Sequence, residues 1–305
     1  MRAMEKVPGG QIIVPLVAAM LINTIFPGAL GVGGPATALL RKGGQTLMGL
    51  FLIICGSQIN IRQAGLPLYK GALLLGMKLG FGAALGWGVN AAFGSAGVLG
   101  LSPFVLFCAI PSNNSSLYIA LSGEYGDATD VGAVSVLALK NGPMGSMVIM
   151  GLSGAAQFSM GDLIGTAIPV LIGIVWGNCD REFRCLCLRS EPVIMIFLSF
   201  AIGATSNLGV LFTAGASGIA LAVLAIGVGI AIQIVYNVLL KKKTPLGVAM
   251  GTVAANSALT PSIIASADRA FEGAVPVAAA QCATASIITM ILMPFIVSFF
   301  DHHLH

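Results

Sequence analysis

The sequence predicts an all-α polytopic membrane protein of ten transmembrane helices, built as two inverted five-helix repeats with helices four and nine broken. Three observations predict it. Of 305 residues, 57% are hydrophobic and 9% charged, with mean hydropathy +0.96, whereas a soluble domain carries about 25% charged residues. Ten segments approach the ~20 apolar residues that a spanning helix needs. Finally, the chain repeats itself: 113–117 (Asn-Asn-Ser-Ser-Leu) aligns with 255–259 (Ala-Asn-Ser-Ala-Leu) at an offset of 142, and 132–136 aligns with 273–277 at 141. Pro15-Leu16-Val17 is similarly echoed at Pro169-Val170-Leu171. A single match in apolar sequence is weak; two in the same order at nearly one offset mark a repeat.

The segments fall near 10–26, 44–60, 67–93, 103–121, 131–156, 161–177, 192–207, 215–240, 246–265 and 274–300. The first follows Pro8-Gly9-Gly10, without the cleavable pattern of a secretory signal, and is read as retained. The second lies between Arg41-Lys42 and Arg62, and the third contains Lys78. The fourth carries Pro111 and the polar run Ser112 to Ser116; the fifth contains Lys140 followed by Asn141-Gly142-Pro143. A polar stretch with Cys179, Asp180, Glu182, Cys185 and Cys187 separates the sixth from the seventh, and Lys241 to Lys243 close the eighth. The ninth carries Thr252, Asn256, Ser257, Thr260, Pro261 and Ser262, and the tenth runs toward the C-terminal histidines. Residues 1–156 form the first repeat and 157–305 the second. Five spans per unit force the second copy to start from the opposite side of the bilayer, an arrangement common in secondary transporters.

Ten spans put both termini on one side. Ten of the fifteen bases lie there (Arg2, Lys6, Arg62, Lys70, Arg181, Arg184, Arg189 and Lys241 to Lys243) against Arg41, Lys42 and Arg269 opposite. The positive-inside rule makes the first side cytoplasmic. The net charge of +4 is therefore loop topology, not a nucleic-acid surface. His302, His303 and His305 are the only histidines, which excludes histidine catalysis or a histidine metal site within the bundle. Clustered acids for magnesium and a phosphate-binding glycine loop are missing too, so no enzyme, cofactor or metal is expected. The cysteines show no CxxC spacing and read as inert thiols, three of them on a cytoplasmic loop.

The two breaks carry the chemistry. Proline removes a helical donor and clashes with the preceding turn, while Ser and Asn favour caps over helix interiors. Irregular backbone at membrane depth is tolerated where it lines a cavity or is packed in protein. A broken helix exposes N–H groups suited to a carboxylate at one end and carbonyls suited to a cation at the other. Small polar residues also join helices, but two such segments at repeat-related positions favour a substrate site. All eleven acids fall outside or at the ends of the apolar segments, whereas Lys78 and Lys140 lie inside them. Each lysine can snorkel, be deprotonated or meet an anion. Lys140, whose repeat partner is Gln281, is the stronger candidate for an anion. Glu124, Asp127 and Asp130 after segment four read first as a solvated loop, with Glu124 and Asp130 also candidates for proton handling.

At this point the chain resembles the 2-keto-3-deoxygluconate permease (KdgT-type) family. The resemblance runs along most of the chain. Its N-terminal part is Glu5-Lys6-Val7-Pro8-Gly9-Gly10, Val14-Pro15-Leu16 and Phe26-Pro27-Gly28. Further on it includes Lys78, Asn114, Leu117-Tyr118, Tyr125-Gly126, Gly142-Pro143, Asn256 and Thr260-Pro261. The resemblance implies a cation symporter, proton-driven in preference to sodium, importing an anionic sugar acid across a bacterial inner membrane. By analogy it also implies the fold of the bile-acid sodium symporters. There the broken helices cross in a core domain (helices three to five and eight to ten) beside a panel domain (helices one, two, six and seven). Lys140 stands where an acid is expected in that family, and no acid sits at the second crossing, which points away from sodium. The expected substrate ligands are Asn113, Asn114, Ser115, Ser116, Lys140, Asn256, Ser257 and Thr260. A passive facilitator, or a sodium-coupled carrier for another organic anion, is the alternative.

Overall fold

The computed structural model describes residues 10–59, 65–137, 144–152, 154, 160–204, 208–241 and 243–304. Among these the chain is all-helical, apart from an isolated bridge between Val98 and Leu101. Helix α1 (Gly10–Ile25) is the first apolar segment. The second is α3 (Gly44–Ser57), preceded by an unforeseen short helix, α2 (Gly34–Leu40), at 54° to it. Gly33 and Gly34, at φ +96° and +58°, make the turn into α2 that a side chain would strain. Helix α4 (Leu66–Phe93) is the third segment, with Pro67 in its first turn, where no donor is lost.

Segment four is broken as expected, into α5 (Pro103–Ala109) and α6 (Ser115–Tyr125). Segment five, expected as one helix, divides into α7 (Ala128–Gly132), α8 (Val134–Leu137) and α9 (Met144–Leu152). The Asp127 side chain starts α7 as its own unit by accepting the Thr129 and Asp130 N–H groups, while Asp130 returns a carboxylate to the Asp127 N–H. Lys140 lies outside the described residues. Helices α10 (Met160–Cys179), α11 (Arg181–Gly203) and α12 (Leu208–Leu240) follow. Segment nine comprises two 310 segments, Pro245–Gly251 and Ala255–Ala258, then α13 (Thr260–Ala267) bent by 62°. A 310 turn, Arg269–Ala274, leads into α14 (Val275–Leu304).

Helix α11 starts eleven residues before the apolar run predicted at 192–207. Asp180 supplies the missing signal: it accepts the N–H groups of Glu182 and Phe183 and so nucleates a helix across the polar stretch. Cys185 and Cys187 therefore lie on a helix rather than a loop. Two residues apart they face different ways, the first exposed and the second buried.

Among the described residues four helices are long and apolar enough to cross a membrane: Leu66–Ala96, Arg181–Gly203, Ala214–Leu240 and Arg269–Leu304. The bent pairs α2 with α3 and Pro245–Ala258 with α13 bring the number to six, and Val14–Ile25 and Ala167–Cys179 are shorter apolar helices. The chain is thus a multi-pass membrane protein. Close packing rests on glycine, as lipid-facing bundles require in place of a hydrophobic drive between helices. Helix α3 lies along α10, where a Cβ on Gly177 would stand 2.7 Å from the Ser57 backbone. Helix α1 pairs with α11, and α12 with α14 and the 245–251 segment. On α4, a Cβ at Gly82 would sit 2.7 Å from Pro111 Cγ and one at Gly86 would sit 2.5 Å from the Phe107 ring. A Cβ at Gly229 of α12 would stand 2.5 Å from Gly251 Cα. Each long helix is thereby pressed onto the short helix that precedes a break.

One expectation fails instructively. Asp130 does not sit in a solvated loop; it and Lys70 are each 2% exposed. Lys70 Nζ lies 2.7 Å from Asp130 Oδ1 and 3.2 Å from Asp127 Oδ1. A buried cation and carboxylate each suffer desolvation, and their pairing offsets it. The start of α4 is thereby tied to the start of α7.

Candidate functional site

The two breaks meet. Between α5 and α6 the chain leaves helical form at 112–114, and between the two 310 segments it is non-helical at 252–254. Asn114 N–H donates to Thr252 Oγ1 (3.0 Å), and Ala254 N–H donates to Ser112 Oγ (3.3 Å). Ser257 Oγ donates to Ser112 Oγ at 2.5 Å. Thr289 Oγ1 of α14 accepts the Val253 N–H at 3.0 Å. Three N–H groups of the unravelled backbone are thus satisfied by hydroxyls, those of Asn114 and Ala254 from the opposite half and that of Val253 from α14 of its own half, which is what buried non-helical backbone demands.

Local sequence explains why each break forms. Asn114 caps α6 by accepting the Leu117 N–H at 3.0 Å. Pro111 fits where Gly82 leaves room. In the second half, Gln233 of α12 is 2% exposed; its Nε2 donates to the Thr244 carbonyl and its Oε1 accepts the Val248 N–H at 2.7 Å. This side-chain clamp holds Pro245–Gly251 in the tighter 310 form.

A small cavity separates the breaks, about 10 Å³ in volume, room for the centre of about one water molecule. Ser112, Asn113, Asn256, Ser257, Thr260 and, from α9, Ser146 line it. Asn113 is 1% exposed; its Nδ2 reaches only Met250 Sδ at 3.3 Å, and its Oδ1 has no partner among the described residues. Buried amide oxygens are nearly always paired, so Asn113 Oδ1 is available to accept from a substrate hydroxyl. Asn256 is half-buried, and its side chain makes no hydrogen bond among the described residues. Thr260 opens α13, whose cap position, Leu259, offers no side-chain acceptor. A second cavity of about 220 Å³ lies between Gln45 and Met48 of α3, Gly161 and Gly165 of α10, and Ile263 and Ser266 of α13.

Of the predicted ligands, Asn113, Asn256, Ser257 and Thr260 meet at the small cavity. Asn114 holds the α6 N-terminus, beside the half-buried Ser115; the Ser116 side chain and Lys140 lie outside the description. Glu124 is exposed near the end of α6, and Asp130 is buried with Lys70. Gln281 is not at the breaks: its Nε2 donates to the Gly100 carbonyl (2.8 Å) and Ser217 Oγ (2.7 Å). The residues underestimated from sequence are Ser112, Thr252, Thr289 and Lys78. Lys78 Nζ, fully buried, donates to the Met250 and Thr252 carbonyls. Its position in an apolar segment was the available signal; its partners were not visible, because a carbonyl acceptor leaves no mark in a sequence.

Comparison with known proteins gives the family. The family model for 2-keto-3-deoxygluconate permease (KdgT) matches residues 1–305. The chain belongs to the 2-keto-3-deoxygluconate permease family. It is 37% identical over 297 residues to 2-keto-3-deoxygluconate permease 1 of Salmonella typhimurium, covering 97% of this chain and 94% of that protein. The 2-keto-3-deoxygluconate permease of Bacillus subtilis is 32% identical over 300 residues, with 95% and 90% covered. That of an Enterobacter species is 31% identical over 302 residues, with 97% and 91% covered. Family membership makes this chain a permease rather than an enzyme.

Proposed function

We propose that this permease imports 2-keto-3-deoxygluconate across a bacterial inner membrane by proton symport with alternating access. The observation that carries the reading is the meeting of two broken segments around an underfilled polar cavity, in a chain of this family. The substrate is a carboxylate with hydroxyls and a ketone. The uncapped start of α13 suits the carboxylate, Asn113 Oδ1 and Ser257 suit its hydroxyls, and Asn256 suits either. Lys140 is retained as a further cation for the carboxylate.

The architecture behind this reading is ten spans in two inverted repeats, termini cytoplasmic. The recurrence of long helix, short helix, break and short helix in α4–α6 and in α12–α13 supports it. So does the packing of α1, α3, α10 and α11 on one another, the panel, against which α4–α9 and α12–α14 form the core. The small volume between the breaks, about 10 Å³, supports alternating access, in which panel and core separate to admit a sugar acid. The cavity of about 220 Å³ between α3, α10 and α13 lies on the face that the charge distribution makes external. Glu124 and Asp130, at the opposite end, are the carboxylates that would hand the proton to the cytoplasm.

Uptake of labelled 2-keto-3-deoxygluconate into proteoliposomes, with and without an acid-outside gradient, tests the reading. Gradient-dependent accumulation is expected. If the label neither accumulates nor is competed by any sugar acid, the substrate assignment fails.

A further inference from the structure

Lys78 is the one fully buried cation among the described residues that faces no carboxylate. Lys70, also buried, has Asp127 and Asp130. Lys78 has two backbone oxygens instead, the carbonyls of Met250 and Thr252, contributed by the other half of the molecule 172 and 174 residues away. These are the carbonyls released where the 310 segment Pro245–Gly251 ends and the chain turns non-helical. A broken helix has an electronegative C-terminal end that suits a cation, and here the protein supplies its own.

Among the described residues no other charge shares the load. The elements packed on α4 are α5, α7, α8, α9, α12 and the segments 94–96 and 245–251. Their titratable side chains among the described residues are Cys108 of α5, Asp130 of α7 and Tyr236 of α12. Asp130 is engaged by Lys70, eight residues and so about 12 Å down α4 from Lys78. None of the three makes a hydrogen bond or ion pair with Lys78 among the described contacts. An ammonium held only by carbonyl dipoles loses less on giving up its proton than one paired with a carboxylate, whose charge would then stand alone.

We propose that Lys78 is the proton-carrying group of this permease. The proposal deepens the symport reading above and rests on it. Facing outward, the amine takes a proton from the external solution, so –NH2 and H+ become –NH3+. The ammonium then closes the Met250 and Thr252 carbonyls. Facing inward, the N–H bond breaks, the electron pair stays on nitrogen, the proton leaves to the cytoplasm, and the carbonyls are freed. One proton moves with one carboxylate, so the loaded step carries no net charge. The link to substrate is short: Thr252, held through its carbonyl by Lys78, also receives the Asn114 N–H on its hydroxyl. Asn114 in turn adjoins Asn113, which lines the cavity and whose Oδ1 has no partner among the described residues. A donor on the Met250 and Thr252 carbonyls, supplied here by protonated Lys78 and replaceable by another side-chain N–H, therefore braces the second break against the first, in the geometry that presents Asn113, Asn256 and Ser257 together.

The test compares wild type with Lys78→Gln and Lys78→Arg in proteoliposomes. Glutamine keeps a neutral donor for one carbonyl, and arginine keeps a charge that does not titrate. With one proton per anion, a gradient of one pH unit drives about tenfold accumulation in wild type, since tenfold in concentration is about 1.4 kcal/mol. Both variants should exchange labelled for unlabelled substrate without a gradient, yet accumulate none when the gradient is applied. Addition of 2-keto-3-deoxygluconate should acidify the lumen, read by a trapped pH dye, in wild type and in neither variant. Gradient-driven accumulation in either variant overturns the proposal. So does the loss of exchange, or of folding, in both, because Lys78 would then be a structural cap. Absence of exchange in wild type sinks the substrate reading, and wild-type exchange indifferent to pH sinks the proton reading; each takes the Lys78 proposal with it.

Discussion

Replacing the buried Asp130 by alanine should destabilise this permease more than the same change at its exposed acids. Asp130 is 2% exposed, its Oδ1 lies 2.7 Å from Lys70 Nζ, and its Oδ2 accepts the Asp127 N–H at 3.0 Å. Removing one partner of a buried ion pair costs about 3–5 kcal/mol, because the other charge is left desolvated. Asp127 still faces Lys70 at 3.2 Å, but with 44% of its side chain exposed it recovers about 1 kcal/mol. The lost backbone hydrogen bond adds about 1 kcal/mol in the other direction. The net loss is about 4 kcal/mol, or ~10 °C in melting temperature for a domain of this size. Asp127→Ala, which removes a half-exposed partner and a helix cap, should cost about 2 kcal/mol. The double variant Lys70→Met with Asp130→Leu removes both charges and should recover at least half of the loss. Thermal unfolding of the purified protein in detergent measures all three. A melting temperature within ~2 °C of wild type for Asp130→Ala, or a double variant no more stable than the single one, would refute the reasoning.

Further predictions concern the glycine contacts and the breaks. Gly82→Ala and Gly86→Ala, whose new Cβ atoms meet Pro111 and Phe107 at 2.7 and 2.5 Å, should each destabilise by about 1–3 kcal/mol. Gly88→Ala, on the same helix with nothing within 4 Å, should be neutral or stabilising by up to about 1 kcal/mol in the same melt. Asn114→Ala should lose both substrate exchange and about 1 kcal/mol of stability, since Asn114 caps α6. Asn256→Ala should lose exchange while its melting temperature stays near wild type, because its side chain holds no element; wild-type exchange in both variants would remove these residues from the site.

Much of the fold was legible because hydropathy and helix-breaking chemistry are local. Each of the ten apolar segments contains helix. The break in segment four follows from Pro111 and the polar run after it, and the break in segment nine from its repeat of that pattern. What was not legible depended on partners. The polar turns 181–191 read as a loop because the capping role of Asp180 competes with their low hydropathy. The 310 form of Pro245–Gly251 depends on Gln233, which lies on the preceding helix. Gln281, the repeat partner of Lys140, looked like a cavity residue, but Gly100 and Ser217 engage it elsewhere.

By itself, then, the sequence determined a polytopic helical membrane protein, two broken segments and a family, since each is written in composition, spacing or motif. Only the tertiary structure decided what the buried charges meet. Lys70 finds carboxylates 57 and 60 residues away, and Lys78 finds carbonyls across the repeat. The physical reason is that every residue carries a backbone carbonyl, so no pattern distinguishes the two that a buried ammonium selects. Their selection depends on where the 310 segment Pro245–Gly251 stops, and on α4 packing beside it.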